Sequence, residues 1–154
     1  MRVFKFGGAS VKDADGVKNV YSVLEQVGHE DVLLVISAMG KTTNALEAVI
    51  KNYVDKSAEL QASVQEVKKY HIQILLDLFE DDSHEAFAAV NRIFADLEAF
   101  LRNNKSPNYN FVYDQIVSLG EVISTTIVSH YFNYRGLKNQ WVDVRELIKT
   151  DNTY

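Results

Sequence analysis

Apolar positions along the chain follow two rhythms. Residues 2–6, RVFKF, and 31–37, DVLLVIS, are short runs rich in branched and aromatic side chains, and each leads into a polar, glycine-containing loop, GGAS and AMGKTTN. Runs of this length bounded by turn residues predict strands, and the unbroken apolar character of the second predicts a strand covered on both faces in a parallel sheet. Between them Val17, Val20, Tyr21 and Leu24 fall at i, i+3, i+4 and i+7, the spacing of one helical face, so a helix is expected over 14–27 with Gly28 ending it. Strand, helix, strand is a βαβ unit. Leu46, Val49, Ile50 and Tyr53 repeat the helical spacing and place a second helix from about Thr43.

From about residue 57 to 104 the pattern changes to two long helical stripes, Val64, Val67, His71, Ile74, Leu75 and Leu78, then Phe87, Val90, Ile93, Phe94, Leu97 and Leu101. They predict a helical hairpin with solvated outer faces, turned at EDDSHE with Asp82 or Ser83 as the N-cap, and stopped at RNNKSPN by the single proline. A further helix is expected over 113–134, striped by Ile116, Leu119, Ile123, Ile127 and Tyr131; a turn at Gly136 and a strand over 139–143 follow. Two residues stand out within that helix. Gly120 costs roughly 1 kcal/mol relative to alanine in a helix interior, which points to close backbone approach. Glu121 lines up with Val117, Thr125 and Val128 on a partly apolar face, as a carboxylate aimed at a cation would.

Composition narrows the picture. At 154 residues and 47% hydrophobic, with no shift of composition along its length, the chain fits one domain with a sizeable core. It has no cysteine, so disulfides, thiolate metal sites and a thiol nucleophile are excluded. His29, His71, His84 and His130 are too far apart to form a local metal-ligand pair and read as surface or helix-face residues, so no transition-metal site is expected. A formal charge of −5 without a basic stripe argues against a nucleic-acid partner. No apolar run approaches the ~20 residues that cross a bilayer, and there is no signal-like segment. A cytoplasmic protein away from membranes is expected.

Ligands of α/β sheets gather beyond the carboxyl ends of the strands, where this sequence places Lys5, Gly7, Gly8, Ser10, Ser37, Gly40 and Thr43. Glycines let backbone N–H groups approach an anion, a helix N-terminus adds positive potential, and a lysine supplies a point charge. The set suits a phosphate cradle, although it has neither the Walker A nor the G-x-G-x-x-G spacing. A turn after a strand with a solvated lysine fits the same residues. Ser37 and Thr43 equally suit strand-end or N-cap roles, and Glu121 a plain surface position.

The order of motifs adds a resemblance. KFGGASV at 5–11 resembles the N-terminal signature of aspartate kinases in the amino-acid kinase family, with Ala9 where threonine is usual. VISAMGKTTN at 35–44 is similar to the family's second loop, SLGEVIST at 118–125 to the segment carrying its substrate glutamate, and WVDVRELIKTD at 141–151 to the strand and turn that follow. The resemblance implies an α/β fold, a three-layer α/β/α sandwich with a mainly parallel sheet, here incomplete and carrying the helical hairpin as an insertion. It implies that residues 1–154 are the N-terminal part of the catalytic domain, inactive alone, of an enzyme that uses ATP with Mg2+ to phosphorylate the β-carboxylate of L-aspartate, the first step toward lysine, threonine and methionine. It also implies a homo-oligomer for the whole enzyme. By the same resemblance Lys5 is catalytic and, with Gly7, Gly8 and Ser10, holds phosphate, while Ser37, Thr43 and Glu121 bind aspartate and no residue here ligates metal. Asp143 and Arg145 are weaker candidates, since either can simply pair at the surface. A sister kinase, such as one for glutamate, and a noncatalytic module of the same fold are the alternatives. Glu121 favours a substrate with an α-ammonium group.

Overall fold

The computed structural model describes residues 1–148. Strand β1, Arg2–Phe6, pairs in parallel with β2, Val32–Ile36, in a register that sets Arg2 opposite Val32 and Phe6 opposite Ile36. Helix α1, Ala14–Val27, is the crossover between them. Its start is fixed by Asp13, whose Oδ1 accepts a hydrogen bond from the Gly16 amide at 2.8 Å, and its end by Gly28 at φ 82°. Helix α2, Thr42–Val54, follows β2 directly. The hairpin is α3, Leu60–Leu78, and α4, Glu85–Asn103, within the span the two stripes predict. Helices α5, Tyr109–Val117, α6, Leu119–Tyr134, and the short α7, Val144–Leu147, complete the described chain.

One core joins these elements. Val17, Val20 and Leu24 of α1, Leu46 and Ile50 of α2, Val64 and Leu75 of α3, Val90 and Phe94 of α4 and Ile123, Ile127 and Tyr131 of α6 are all fully or almost fully buried in it. The sheet meets this core through one face. Phe4, Phe6, Val32, Leu34 and Ile36 pack inward, whereas Val3, Leu33 and Val35 are 57%, 49% and 45% exposed. The expectation of a strand buried on both faces is therefore corrected. Among the described residues the helices line one face of the sheet, so the α/β class and the parallel pairing stand while the third layer of a sandwich is not formed.

Three local expectations also change. The helix expected over 113–134 is two helices that meet at Ser118, because α5 packs against α2 whereas α6 packs mainly against α4. The strand expected over 139–143 does not form. Its polar groups are instead tied to α6: the Asn139 amide donates to Asn133 Oδ1 at 3.0 Å, Ser129 Oγ to Asn139 Oδ1 at 2.7 Å, and Trp141 Nε1 to Thr125 Oγ1 at 2.9 Å. The N-cap of α4 is His84, whose Nδ1 accepts from the Ala86 amide at 3.2 Å, in place of Asp82 or Ser83, because Asp81 draws the Ser83 amide and hydroxyl into a turn. Residues Tyr109–Tyr134 together reach the length and a mean hydropathy, 1.2, that allow a bilayer span by composition alone, but the buried stripe of α6 packs on α2, α3 and α4 of this chain.

Candidate functional site

The loops after β1 and β2 lie side by side. β1 runs through Gly7, in ordinary extended backbone, into a single 3-10 turn at Gly8–Val11, whose first amides, Gly8 and Ala9, donate to no acceptor among the described residues. β2 runs through Ser37 and Ala38 to Gly40, at φ 54°, and then into α2. Two backbone hydrogen bonds join the loops: Ser37 N to Phe6 O at 3.0 Å and Gly40 N to Gly8 O at 3.0 Å. Gly8 is required by proximity. A Cβ there would lie 2.5 Å from the Ala38 carbonyl oxygen and 3.1 Å from that of Gly40, both backbone atoms that cannot swing away.

Helix α6 closes the third side. Gly120 is buried, and a Cβ on it would sit 3.0 Å from Ala38 Cβ and 3.4 Å from Leu46 and Thr42 side-chain carbons. One turn on, the Ser124 hydroxyl donates to the Ser37 carbonyl at 2.8 Å. Three stretches far apart in the chain, 5–11, 35–44 and 118–125, thus converge on Ser37 and Ala38. This packing gives Gly120 its reason.

The polar side chains expected to act here are free to do so. Lys5, Ser10, Ser37, Thr43 and Glu121 make no side-chain hydrogen bond or ion pair among the described residues. Lys5 projects from the uncovered face of the sheet, paired in register with Val35 and exposed, with no carboxylate bound to it. Ser37 is half-buried, and Thr43, also half-buried, lies in the first turn of α2 without capping it, because the cap position is Lys41 and has no side-chain hydrogen bond. Glu121 is exposed in the first turn of α6, where the helix dipole favours a negative charge. Ser10 lies exposed in the 3-10 turn. The neighbouring Thr42 differs: it is buried, and its hydroxyl is engaged with Met39 O at 2.6 Å and His71 Nε2 at 3.3 Å.

Sequence reasoning did not anticipate the support from α3. His71 is fully buried, its Nδ1 lies 2.8 Å from Val67 O, and desolvation holds its pKa down at about 4, so it is neutral near pH 7. Tyr70 donates its hydroxyl to the Lys12 carbonyl. The signal present in sequence was a histidine on an otherwise apolar stripe. Asp143 and Arg145 pair at 2.6 Å, and Arg145 Nη1 also donates to Ser118 Oγ at 3.3 Å, so the pair ties α7 to the start of α6.

Among the described residues no three His, Asp or Glu side chains come together as a metal site. The donor set does not fit a resident magnesium ion. Two glycine loops, unpaired amides and a lysine do fit an anion that brings its own counter-ion, as a nucleotide's phosphates do.

The chain that carries this arrangement is of a known lineage. The amino acid kinase family model matches residues 1–153, and the chain belongs to that family. Aspartokinase 1, chloroplastic, of Arabidopsis thaliana is 32% identical over 158 residues, covering 97% of this chain and 27% of that protein. Bifunctional aspartokinase/homoserine dehydrogenase 2 of Escherichia coli is 28% identical over 151 residues, covering 97% of this chain and 18% of its own length. Among solved structures, E. coli aspartokinase III in complex with aspartate and ADP matches all of this chain and 33% of that one, with a TM-score of 0.84 at 22% identity. The same enzyme with lysine and aspartate gives 0.82 at 25% identity. The chain therefore spans a third or less of the length of these relatives.

Proposed function

We propose that this chain supplies the phosphoryl- and aspartate-contacting part of the catalytic domain of an ATP-dependent aspartate kinase. The observation that carries this reading is the convergence on Ser37 and Ala38 of three separate stretches whose unpaired side chains are a lysine, hydroxyls and a carboxylate. The aspartokinase relatives supply the substrate.

The chemistry asks for alignment more than for proton transfer. A β-carboxylate with an ordinary pKa near ~3.9 is already ionised at neutral pH, so its oxygen attacks the γ-phosphorus without a general base. A new O–P bond forms, the bond from the γ-phosphorus to the β,γ-bridging oxygen breaks, and ADP leaves with that electron pair, giving 4-phospho-L-aspartate. Lys5 and the Gly7 and Gly8 amides meet the charge on the phosphoryl oxygens, with Ser10 beside them. Ser37 and Thr43 orient the carboxylate, and Glu121 accepts hydrogen bonds from the α-ammonium. Magnesium carried by the nucleotide would supply neutralisation of phosphate charge, and no residue of this chain is assigned to hold it.

Glu121 separates a kinase whose acceptor carries an α-ammonium group, as aspartate and glutamate do, from one whose acceptor lacks it. A charge-assisted contact is worth about 1.5–3 kcal/mol, so Glu121→Gln in the intact gene product is expected to lower kcat/KM for aspartate roughly ten- to a hundredfold. Succinate, which lacks the amino group, is expected to be a poor substrate of the wild type and to gain relative to aspartate in the variant. Steady-state kinetics with both acceptors provide the test. An unchanged aspartate-to-succinate ratio would remove Glu121 from the ammonium site, and with it the argument for an α-amino acid.

A further inference from the structure

Helix α3 belongs to the hairpin, which carries none of the motif residues, yet two successive side chains on it reach both site loops. Tyr70 donates its hydroxyl to the carbonyl of Lys12, directly after the first glycine loop. The same oxygen lies over the second loop, where a Cβ added to Gly40 would come within 2.6 Å of it. His71 approaches Thr42 at 3.3 Å through Nε2, and Thr42 in turn holds Met39 O at 2.6 Å. The two rings pack edge to face with centroids 5.0 Å apart, so each limits the other's freedom. With Nδ1 turned to Val67 O, the neutral imidazole donates there and leaves Nε2 as an acceptor that shares the single Thr42 hydroxyl proton with Met39 O, the nearer of the two.

We propose that Tyr70 and His71 are positioning residues: α3 clamps the 7–12 loop to the 38–43 loop and so sets the spacing between the groups that hold phosphoryl and those that hold the acceptor carboxylate. The proposal rests on the kinase reading for its catalytic consequence, but its structural content stands apart from it. The clamp acts through the backbone of Lys12 and the hydroxyl of Thr42, without touching substrate. Its reach is the hydrogen bond from Gly40 N to Gly8 O, which ties one loop to the other.

The test has two arms. In this chain, amide hydrogen exchange of Gly40 reports the bond between the loops directly. Tyr70→Phe, which removes one half-exposed hydroxyl and keeps the ring, is expected to speed exchange at Gly40 about five- to tenfold, the loss of roughly one hydrogen bond, while amides of α4 keep their protection. His71→Leu should act in the same direction and His71→Gln, which retains a polar group toward Thr42, should restore protection. In the intact gene product the same Tyr70→Phe change should lower kcat/KM for ATP and aspartate about five- to tenfold with an unaltered melting temperature. Wild-type exchange at Gly40 in Tyr70→Phe overturns the clamp whatever the enzyme does. Faster exchange with undiminished kcat/KM overturns its role in positioning. An intact wild-type protein without aspartate-dependent ATP turnover would defeat the kinase reading, and the exchange arm would still decide the clamp.

Discussion

At the scale of single residues, the contrast between Thr42 and Thr43 shows how the site is organised. Adjacent in sequence and alike in chemistry, one is buried and engaged with Met39 and His71 while the other keeps its hydroxyl unpaired at the start of α2. Sequence could propose Thr43 through the motif it completes; it could not show that Thr42 is buried with its hydroxyl given to Met39 O and facing a histidine twenty-nine positions away. His71 also carries a pH signature. Its pKa falls from an ordinary 6.5 to about 4 on folding, so between those values the unfolded chain binds a proton that the folded chain refuses. Stability should therefore be fully present above about pH 6.5, decline as pH falls, and level off near pH 4, with roughly 3 kcal/mol lost over the window from this group. Denaturant unfolding of wild type and His71→Gln across that range checks it: the variant should lack this part of the slope, and parallel curves would assign the acid sensitivity to other groups.

At the scale of elements, what was legible depended on whether a local pattern or a distant neighbour fixed the structure. The βαβ unit and both helices of the hairpin follow from periodicity, since a helix or strand that buries one face must repeat apolar residues at its own period. The division at Ser118 was not legible because the apolar stripe runs on through it, and only packing against two different helices reveals two axes. The segment 139–143 has strand-like composition, yet hydrogen bonds to α6 from Asn139 and Trp141 hold it in irregular backbone. Gly120 was legible as an anomaly, and its partner Ala38 was not. That contact makes a graded prediction. Gly120→Ala places a methyl 3.0 Å from Ala38 Cβ but gains helix propensity of about 1 kcal/mol, so its net effect should be small. Gly120→Val adds two further methyl groups without that gain and should cost about 1–3 kcal/mol through overpacking. Chemical denaturation of the two variants measures the difference, and equal stabilities would show that α6 and the second loop are looser than this geometry requires.

At the scale of the molecule, the sheet is supported from one side. Leu33 is about half exposed on the uncovered face and Leu46 fully buried on the other side of the structure, so truncating them should have unequal effects. In the isolated chain Leu33→Thr is expected to change stability by less than about 0.5 kcal/mol, as exposed positions do, whereas Leu46→Ala should cost about 2–5 kcal/mol. Unfolding midpoints at matched m-values settle it, and a large loss from Leu33→Thr would mean that the outer face is covered in solution. The position of Lys5 gives this asymmetry a chemical edge. Its ammonium rises from the same uncovered surface as Val3, Leu33 and Val35. Any body that shelters those three side chains also drains water from around the ammonium. The Coulomb energy between that charge and a phosphoryl oxygen scales inversely with the local dielectric, so a fall from about 80 to about 20 strengthens the attraction roughly fourfold. Shielding the sheet and empowering its lysine are, by geometry, a single event.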